Sequence, residues 1–175
     1  YYILILCLSI VLYIIYNYQK YENYSFSLQY YFIMLFESLF YSLLLIVIIN
    51  GVSIFTTVAD YNYNNYFINF YSSLGAGLWE EVFFRFIIYT LIYKVLNSLS
   101  LSKIYSIFFA VVLSSILFSV FHYTGNLGEV FYIKTFIIRF VAGVLLCLIY
   151  IKRGLGITCI THLSYDVLLF SIPLL

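Results

Sequence analysis

Long apolar stretches separated by short polar breaks are the feature that most constrains the fold of this chain. A helix that crosses a bilayer needs about 20 mostly apolar residues. Hydrophobic residues make up 65% of the chain and charged residues only 9%, which leaves too little polar surface for a soluble domain. We therefore expect an all-α, polytopic integral membrane helix bundle of about six transmembrane helices, with residues 1–175 forming a single membrane domain in the lipid bilayer. The six stretches are 1–19, 28–50, 71–93, 104–124, 131–151 and 155–175.

Composition also excludes several classes of protein. The formal net charge of +1 offers no basic face, so we expect no nucleic acid as a partner. Cys7, Cys147 and Cys159 lie inside apolar runs without CxxC spacing, which predicts packing residues and neither disulfides nor a thiolate metal site. Residues 1–19 lack a charged leader region and a small-residue cleavage site, so they are interpreted as a mature span. The chain starts at Tyr1, so the prediction leaves room for helices upstream.

Basic residues in the short connections predict the orientation of the helices. Basic residues concentrate in the first, third and fifth connections, and cytoplasmic loops are enriched in Lys and Arg. We therefore expect these odd connections on the cytoplasmic side. The second connection, within 51–70, has no Lys or Arg and is rich in Tyr, which predicts a segment along the membrane surface. The basic residues are Lys20, Lys94, Lys103, Lys152 and Arg153.

Three ionisable residues near the middle of the third stretch are the strongest functional signal. Each such residue at the bilayer centre costs about 2.5–3.5 kcal/mol, so it persists mainly where it pairs or takes part in function. Glu81 and Arg85 are four residues apart on one helical face and can form an ion pair. Glu80 is rotated by about 100° from Glu81 and points elsewhere. Glu80 is therefore the free carboxylate and the candidate general base.

Both histidines of the chain also lie in apolar stretches. His122 follows Phe118 by four residues, so the Phe118 ring covers the turn beneath the imidazole. His162 precedes Asp166 by four residues, which places both on one face of the last helix. Helices of a bundle can bring side chains from separate segments into one polar cavity. We expect such a cavity here.

Other polar and small residues are predicted to have structural roles. Glu37, Lys134 and Arg139 either pair between helices or line a water-filled opening, with Lys134 able to extend to the interface. The sequence assigns them no part in catalysis. Gly75, Ala76 and Gly77 are predicted to permit close contact between helices. Two later glycines mark the start of a helix: Gly154 and Gly156.

Three motifs in order make the chain resemble the CPBP intramembrane proteases. This group contains the type II CAAX prenyl endopeptidases and the bacterial Abi proteins of bacteriocin processing and immunity. EExxxR occurs at residues 80–85, FxxxH at 118–122 and HxxxD at 162–166. Each motif is short, but their order on three apolar segments makes the joint match specific. It predicts a CPBP/Abi-like catalytic core over residues 71–170.

The resemblance implies a role for each motif residue. Glu80 together with His122 would activate a water molecule, and His162 with Asp166 would hold the carbonyl oxygen of the scissile bond. Glu81, Arg85 and Phe118 would support the site. The prenyl endopeptidases have Asn where this chain has Asp166, and an ionised Asp only accepts hydrogen bonds. Asp166 could therefore orient His162 or bind a metal instead.

Two mechanisms and three functions remain open at this point. Hydrolysis is either metal-free, or metalloprotease-like with a divalent ion such as zinc held by Glu80, His122, His162 and Asp166, although the HExxH signature is absent. The resemblance implies an intramembrane endopeptidase in a bacterial plasma membrane. Its substrate would be a membrane-bound peptide or protein: a prenylated CAAX-like tail, a leader peptide or a propeptide. The alternatives are a non-catalytic immunity or scaffold protein, or a proton-coupled carrier.

Overall fold

The structure, a computed structural model, describes residues 27–53, 66–125 and 128–171. These residues form helices and connections and contain no β-strand, which agrees with the all-α prediction. The described part has six α-helices and one π-helical segment, here called π1. In chain order they are α1 (Leu28–Ser53), α2 (Tyr66–Glu80), π1 (Glu81–Tyr89), α3 (Thr90–Ser98), α4 (Lys103–Phe121), α5 (Ile133–Arg153) and α6 (Leu155–Ser171).

Three of the described helices are long and apolar enough to cross a membrane. They cover Leu28–Gly51, Lys103–Phe121 and Ile133–Arg153. The apolar part of α6, Leu155–Leu169, is shorter. The stretch 1–19 and most of the predicted surface segment lie outside the described residues. The structure therefore supports a membrane helix bundle with three candidate spans among the described residues, and the predicted number of six is not confirmed.

The third predicted stretch, 71–93, is part of a longer rod that is not a uniform α-helix. The residues flanking π1 keep right-handed helical angles, with φ −66° and ψ −38° at Glu80 and φ −64° and ψ −39° at Thr90. Helix geometry therefore continues from α2 through π1 into α3. The hydroxyl of Thr90 donates to the Arg85 carbonyl at 3.4 Å. A π-helix bonds residue i to i+5 and is wider than an α-helix, and such segments occur frequently at functional sites.

Helix α6 lies at the centre of the described bundle. It packs against α1, α2, π1 and α5, while α4 packs against π1, α3 and α5. The predicted close contact through small residues is confirmed at Gly77, where an added Cβ would lie 2.9 Å from the Leu163 backbone nitrogen. It is wrong at Gly75, where an added Cβ would meet no atom within 4 Å. Gly143 of α5 similarly lets α4 approach, because an added Cβ would lie 3.1 Å from Ser115.

Helices α5 and α6 meet at a corner that also holds α1. Gly154 lies between α5 and α6 with φ +82°, a conformation that favours glycine, so the predicted helix start is confirmed there. Glu37 of α1 forms an interhelical pair with Arg153, at 2.5 Å to Nε and 2.7 Å to Nη2. The Ser38 hydroxyl donates to the Ile157 carbonyl at 3.3 Å. These contacts join α1 to the corner.

The remaining sequence predictions for single residues have mixed outcomes. Cys147 and Cys159 are buried free thiols, as expected for packing residues, while Cys7 lies outside the described residues. Lys134 is exposed near the start of α5. Arg139 pairs with Glu129 of the α4–α5 connection, so neither of these two basic residues is the partner of Glu37.

Candidate active site

The predicted ion pair between Glu81 and Arg85 is present inside the bundle. The two side chains are 0% and 2% exposed, and Arg85 Nη1 lies 2.9 Å from Glu81 Oε1. Both residues belong to π1 and face the interior. The guanidinium of Arg85 also donates to the Gly143 carbonyl of α5 at 3.5 Å. The pair therefore connects π1 to α5 as well as neutralising two buried charges.

Glu81 has a second partner that the sequence analysis missed. His162 Nδ1 of α6 lies 2.8 Å from the same Oε1 atom that contacts Arg85. A carboxylate only accepts, so the ring donates its Nδ1–H to Glu81. The other oxygen, Oε2, is buried and makes no hydrogen bond with any described residue. Glu81 thus joins π1 to α6 and orients the imidazole of His162.

Phe118 separates the two histidines at the centre of the site. It is 3% exposed, and its ring centroid lies 5.1 Å from that of His122 and 6.0 Å from that of His162. The guanidinium carbon of Arg85 stands 4.3 Å above the ring, within the range of a cation–π contact. The expectation that Phe118 covers the turn beneath His122 is met, and its contacts with Arg85 and His162 are new.

Glu80 and His122 face each other across a gap. His122 Nε2 lies 4.0 Å from Glu80 Oε2, and the two side chains are 24% and 15% exposed. His122 Nδ1 lies 2.9 Å from the Phe118 carbonyl oxygen. Because a carbonyl can only accept, Nδ1 carries the proton, and in the neutral ring Nε2 presents a lone pair toward Glu80. A separation of 4.0 Å is too long for a direct hydrogen bond but accommodates a bridging water.

Asp166 lies one turn beyond His162 on α6. Its Oδ2 atom is 3.7 Å from His162 Nε2, and its side chain is 19% exposed. His162 therefore stands between two carboxyl groups, with a direct hydrogen bond to Glu81 and a looser approach to Asp166. The site residues come from π1, its junction with α2, the end of α4, and α6.

The four candidate metal ligands form two separate pairs. Glu80 is beside His122, and Asp166 is beside His162. Two imidazoles and two carboxylates are donors that zinc accepts. In the part of the chain that the structure describes, however, no three His, Cys, Asp or Glu side chains are placed to hold a metal ion.

A cation beside the site was not assigned to it by the sequence analysis. Arg139 Nη2 lies 2.6 Å from Glu129 Oε1, and its guanidinium carbon is 5.3 Å from the centre of the Tyr123 ring. Glu129 donates its backbone N–H to the His122 carbonyl at 3.0 Å. The described part of the connection that follows His122 is thus folded back against Arg139. No periodic spacing relates these residues, because an irregular connection lies between them.

Comparison with known proteins supplies the family. Residues 62–168, more than half of the chain, match the model of the type II CAAX prenyl endopeptidase Rce1-like family. The chain belongs to this family, which confirms the resemblance seen in the motifs. Because this is a family of membrane proteases, membership supports peptidase activity, an integral membrane location and a membrane-associated substrate. Searches of curated proteins and of solved structures found no match.

Proposed function

We propose that this protein is an intramembrane endopeptidase that hydrolyses a peptide bond with a water molecule held between Glu80 and His122. The observation that carries the proposal is the 4.0 Å separation of Glu80 Oε2, at the end of α2, and His122 Nε2, directly after α4. A water at about 2.8 Å from each atom would donate one hydrogen to the carboxylate and one to the imidazole. Its lone pairs would then point away from both groups, toward a substrate.

The reaction follows from this arrangement. Glu80 takes a proton from the water as the oxygen attacks the scissile carbonyl carbon, and the carbonyl oxygen gains negative charge. When the tetrahedral intermediate collapses, the C–N bond breaks and Glu80 returns the proton to the leaving amine. His122 holds the water in line during attack. One carboxyl group thus serves first as base and then as acid, and no covalent bond forms between the enzyme and the substrate.

His162 and Asp166 are suited to the developing oxyanion. In the imidazolium form, His162 donates Nδ1–H to Glu81 and has Nε2–H left to donate to the substrate oxygen. A protonated Asp166 could donate as well, and an ionised Asp166 would instead orient the His162 ring. Glu81, Arg85 and Phe118 position these groups. If a divalent ion is used, Glu80, His122, His162 and Asp166 would have to move closer together to hold it, because they form two separate pairs in the described structure.

The family description makes a prenylated CAAX-like tail the first substrate to test. A leader peptide and a propeptide are the other candidates, and we place the enzyme in the plasma membrane of a bacterial cell. The test uses purified protein in lipid nanodiscs and a fluorogenic peptide that carries a farnesylated cysteine followed by three residues. Mass spectrometry of small peptides in host cells, with and without the gene, covers the other two candidates.

The decisive variants are Glu80→Gln and His122→Ala. We expect each to lower turnover at least about 100-fold, because each removes a group that handles the water. Glu37→Gln is the matched control, since Glu37 is also a carboxylate of a membrane helix but pairs with Arg153 outside the site. Retained activity in Glu80→Gln would overturn the mechanism.

Two further results separate the alternatives. Loss of activity in a chelator, restored by Zn²⁺, would support a metal-dependent mechanism, and unchanged activity would support a metal-free one. The other alternative is a non-catalytic immunity or scaffold protein. It is supported if wild type and both variants give the same peptides in the host and all three still protect the cells against a bacteriocin.

A further inference from the structure

Arg139 is the one cation of the described site region whose partner is a largely exposed side chain. Arg85 already pairs with Glu81 in the interior, where both side chains are buried. The side chain of Arg139 is only 16% exposed, but Glu129, which it contacts, is 55% exposed. Glu129 also donates its backbone N–H to the His122 carbonyl, so Arg139 lies beside the connection that follows His122.

The guanidinium of Arg139 is held in place, but not all of its N–H groups are hydrogen-bonded. Its guanidinium carbon lies 5.3 Å from the centre of the Tyr123 ring, whose hydroxyl is fixed by a 2.7 Å hydrogen bond to Thr135. Its contact with Glu129 uses Nη2, and Nη1 is buried without a hydrogen-bond partner among the described residues. An arginine can bind both oxygens of a carboxylate through two parallel hydrogen bonds. Nη1 of Arg139 therefore has hydrogen-bonding capacity that no described residue uses, next to the Nη2 group that holds the Glu129 carboxylate.

Glu129 is well placed to be exchanged for such a group. It belongs to the connection between α4 and α5, and its own carboxylate is more than half exposed. Because the Glu129 carboxylate is already largely hydrated in the pair, its release from Arg139 costs little. The backbone of Glu129 is anchored separately, through its N–H to the His122 carbonyl. The side chain can leave Arg139 while the connection stays in place.

We propose that Arg139 is a specificity-determining residue that binds a substrate carboxylate in place of Glu129. This inference rests on the proposed peptidase function and adds a preference to it. In a peptide cut near its end, the carboxylate is the free C-terminal one, on the leaving-group side of the scissile bond. Glu129 occupies the same position in the free protein and is displaced when substrate binds.

The test compares three forms of the farnesylated peptide. The first ends in a free carboxylate, the second in an amide, and the third in an amide with Asp as its last residue. The proteins are wild type, Arg139→Gln, Arg139→Lys and, as a matched control, Lys134→Gln, which removes an exposed cation of the same helix. The measured quantity is kcat/KM for each pair of protein and peptide.

We expect wild type to prefer the free carboxylate over the amide by at least about tenfold, because a charge-assisted hydrogen bond is lost in the amide. Arg139→Gln should remove this preference, so that kcat/KM becomes equal for the carboxylate and the amide. Arg139→Lys should keep part of it, and Lys134→Gln all of it. If the Asp peptide is cleaved as fast as the peptide with the free carboxylate, a side-chain carboxylate is sufficient for binding to Arg139. Equal cleavage of carboxylate and amide by wild type would overturn the inference.

A second outcome would also contradict the proposed role of Arg139 in specificity. If Arg139→Gln slows cleavage of all three peptides equally, Arg139 only positions the connection that follows His122. Binding to the Glu80→Gln variant separates the two proposals, with dye-labelled forms of the same peptides and fluorescence anisotropy as the readout. Tighter binding of the carboxylate form without any cleavage by wild type would contradict the peptidase proposal alone. Equal binding of carboxylate and amide, or no binding of either, would contradict the role of Arg139.

Discussion

At the scale of single residues, Glu81 is the group on which the other buried charges of the site depend. One oxygen of Glu81 contacts both Arg85 and His162, which lie on different elements. Desolvating a charge costs several kcal/mol, and only close partners recover that cost. The adjacent carboxylates therefore differ in role. Glu81 is enclosed and structural, whereas Glu80 is partly exposed and faces the gap.

Removal of Arg85 should destabilise the protein. Arg85→Ala leaves Glu81 buried beside His162 without its cation, and breaking a buried pair costs about 3–5 kcal/mol. Arg153→Ala is the matched control, because Arg153 is 47% exposed and its pair with Glu37 should contribute about 0–1 kcal/mol. Thermal unfolding of both variants in the same detergent is the measurement. Equal melting temperatures for the two variants would contradict the structural role of Glu81–Arg85.

The coupling between Glu81 and His162 can be measured separately from the ion pair. Glu81→Gln, His162→Ala and the double variant form a double-mutant cycle. Because the two side chains share a 2.8 Å hydrogen bond in the interior, we expect a coupling free energy of about 1–3 kcal/mol in unfolding. The pair Glu129 and Lys134, for which no such contact occurs in the described structure, should be additive. Additive effects for Glu81 and His162 would show that the bond contributes nothing to stability.

At the scale of helices, the contact of α2 with α6 determines whether the Glu81 carboxylate of π1 reaches His162. The two backbones approach closely where Gly77 of α2 lies opposite Leu163 of α6. Gly77 is three residues before Glu80, and Leu163 directly follows His162. A side chain at Gly77 would meet backbone atoms of Leu163, which cannot move aside as a flexible side chain can. The position of one glycine thus sets the distance across which Glu81 binds His162.

Gly77→Ala and Gly75→Ala should have opposite effects. At Gly77 the added Cβ lies 2.9 Å from Leu163 atoms, and such overpacking costs about 1–3 kcal/mol. At Gly75 there is no atom within 4 Å, so the alanine should stabilise the helix by about 0.5–1 kcal/mol. Melting temperature and peptide turnover, measured in parallel, should both fall for Gly77→Ala only. A Gly77→Ala variant as active and stable as Gly75→Ala would refute the close contact.

At the scale of the whole molecule, the site lies at the end of α4 opposite Lys103. Helix α4 begins at Lys103 and ends at Phe121, directly before His122. The opposite end of the bundle holds the corner where α5 and α6 meet. The end of α3 lies there too, because Tyr93 of α3 and Gly154 line the same cavity. A positive-inside orientation would therefore place the α4–α5 connection, and with it the site, toward the outer side of the membrane.

Cysteine labelling in intact cells tests this orientation. Lys103→Cys and Lys152→Cys should react with a membrane-impermeant maleimide only after the cells are opened, whereas Val130→Cys of the α4–α5 connection should react in intact cells. All three positions are exposed, so access does not depend on unfolding. The reversed pattern would contradict the predicted orientation and would place the site within reach of a cytoplasmic prenylated tail. The expected pattern would favour a leader peptide or propeptide on the outer side.

The sequence by itself determined the class of the protein and the local parts of its site. Apolar composition and stretch length require a membrane helix bundle, because water cannot solvate such a surface. The ion pair of Glu81 with Arg85 and the approach of Phe118 to His122 are also local, since residues four apart meet on any helix. The order of the three motifs was sufficient to indicate the family.

Only the tertiary structure decided which side chains meet between helices. The bond of Glu81 to His162, the gap between Glu80 and His122, and the pair of Glu37 with Arg153 join residues 42 to 116 positions apart. Such contacts depend on helix rotation and depth, which short-range spacing does not encode. The π-helical geometry of π1 and the position of Arg139 beside the site were likewise visible only in the tertiary structure. No spacing in the sequence marks the wider turns of π1, and an irregular connection separates Arg139 from His122.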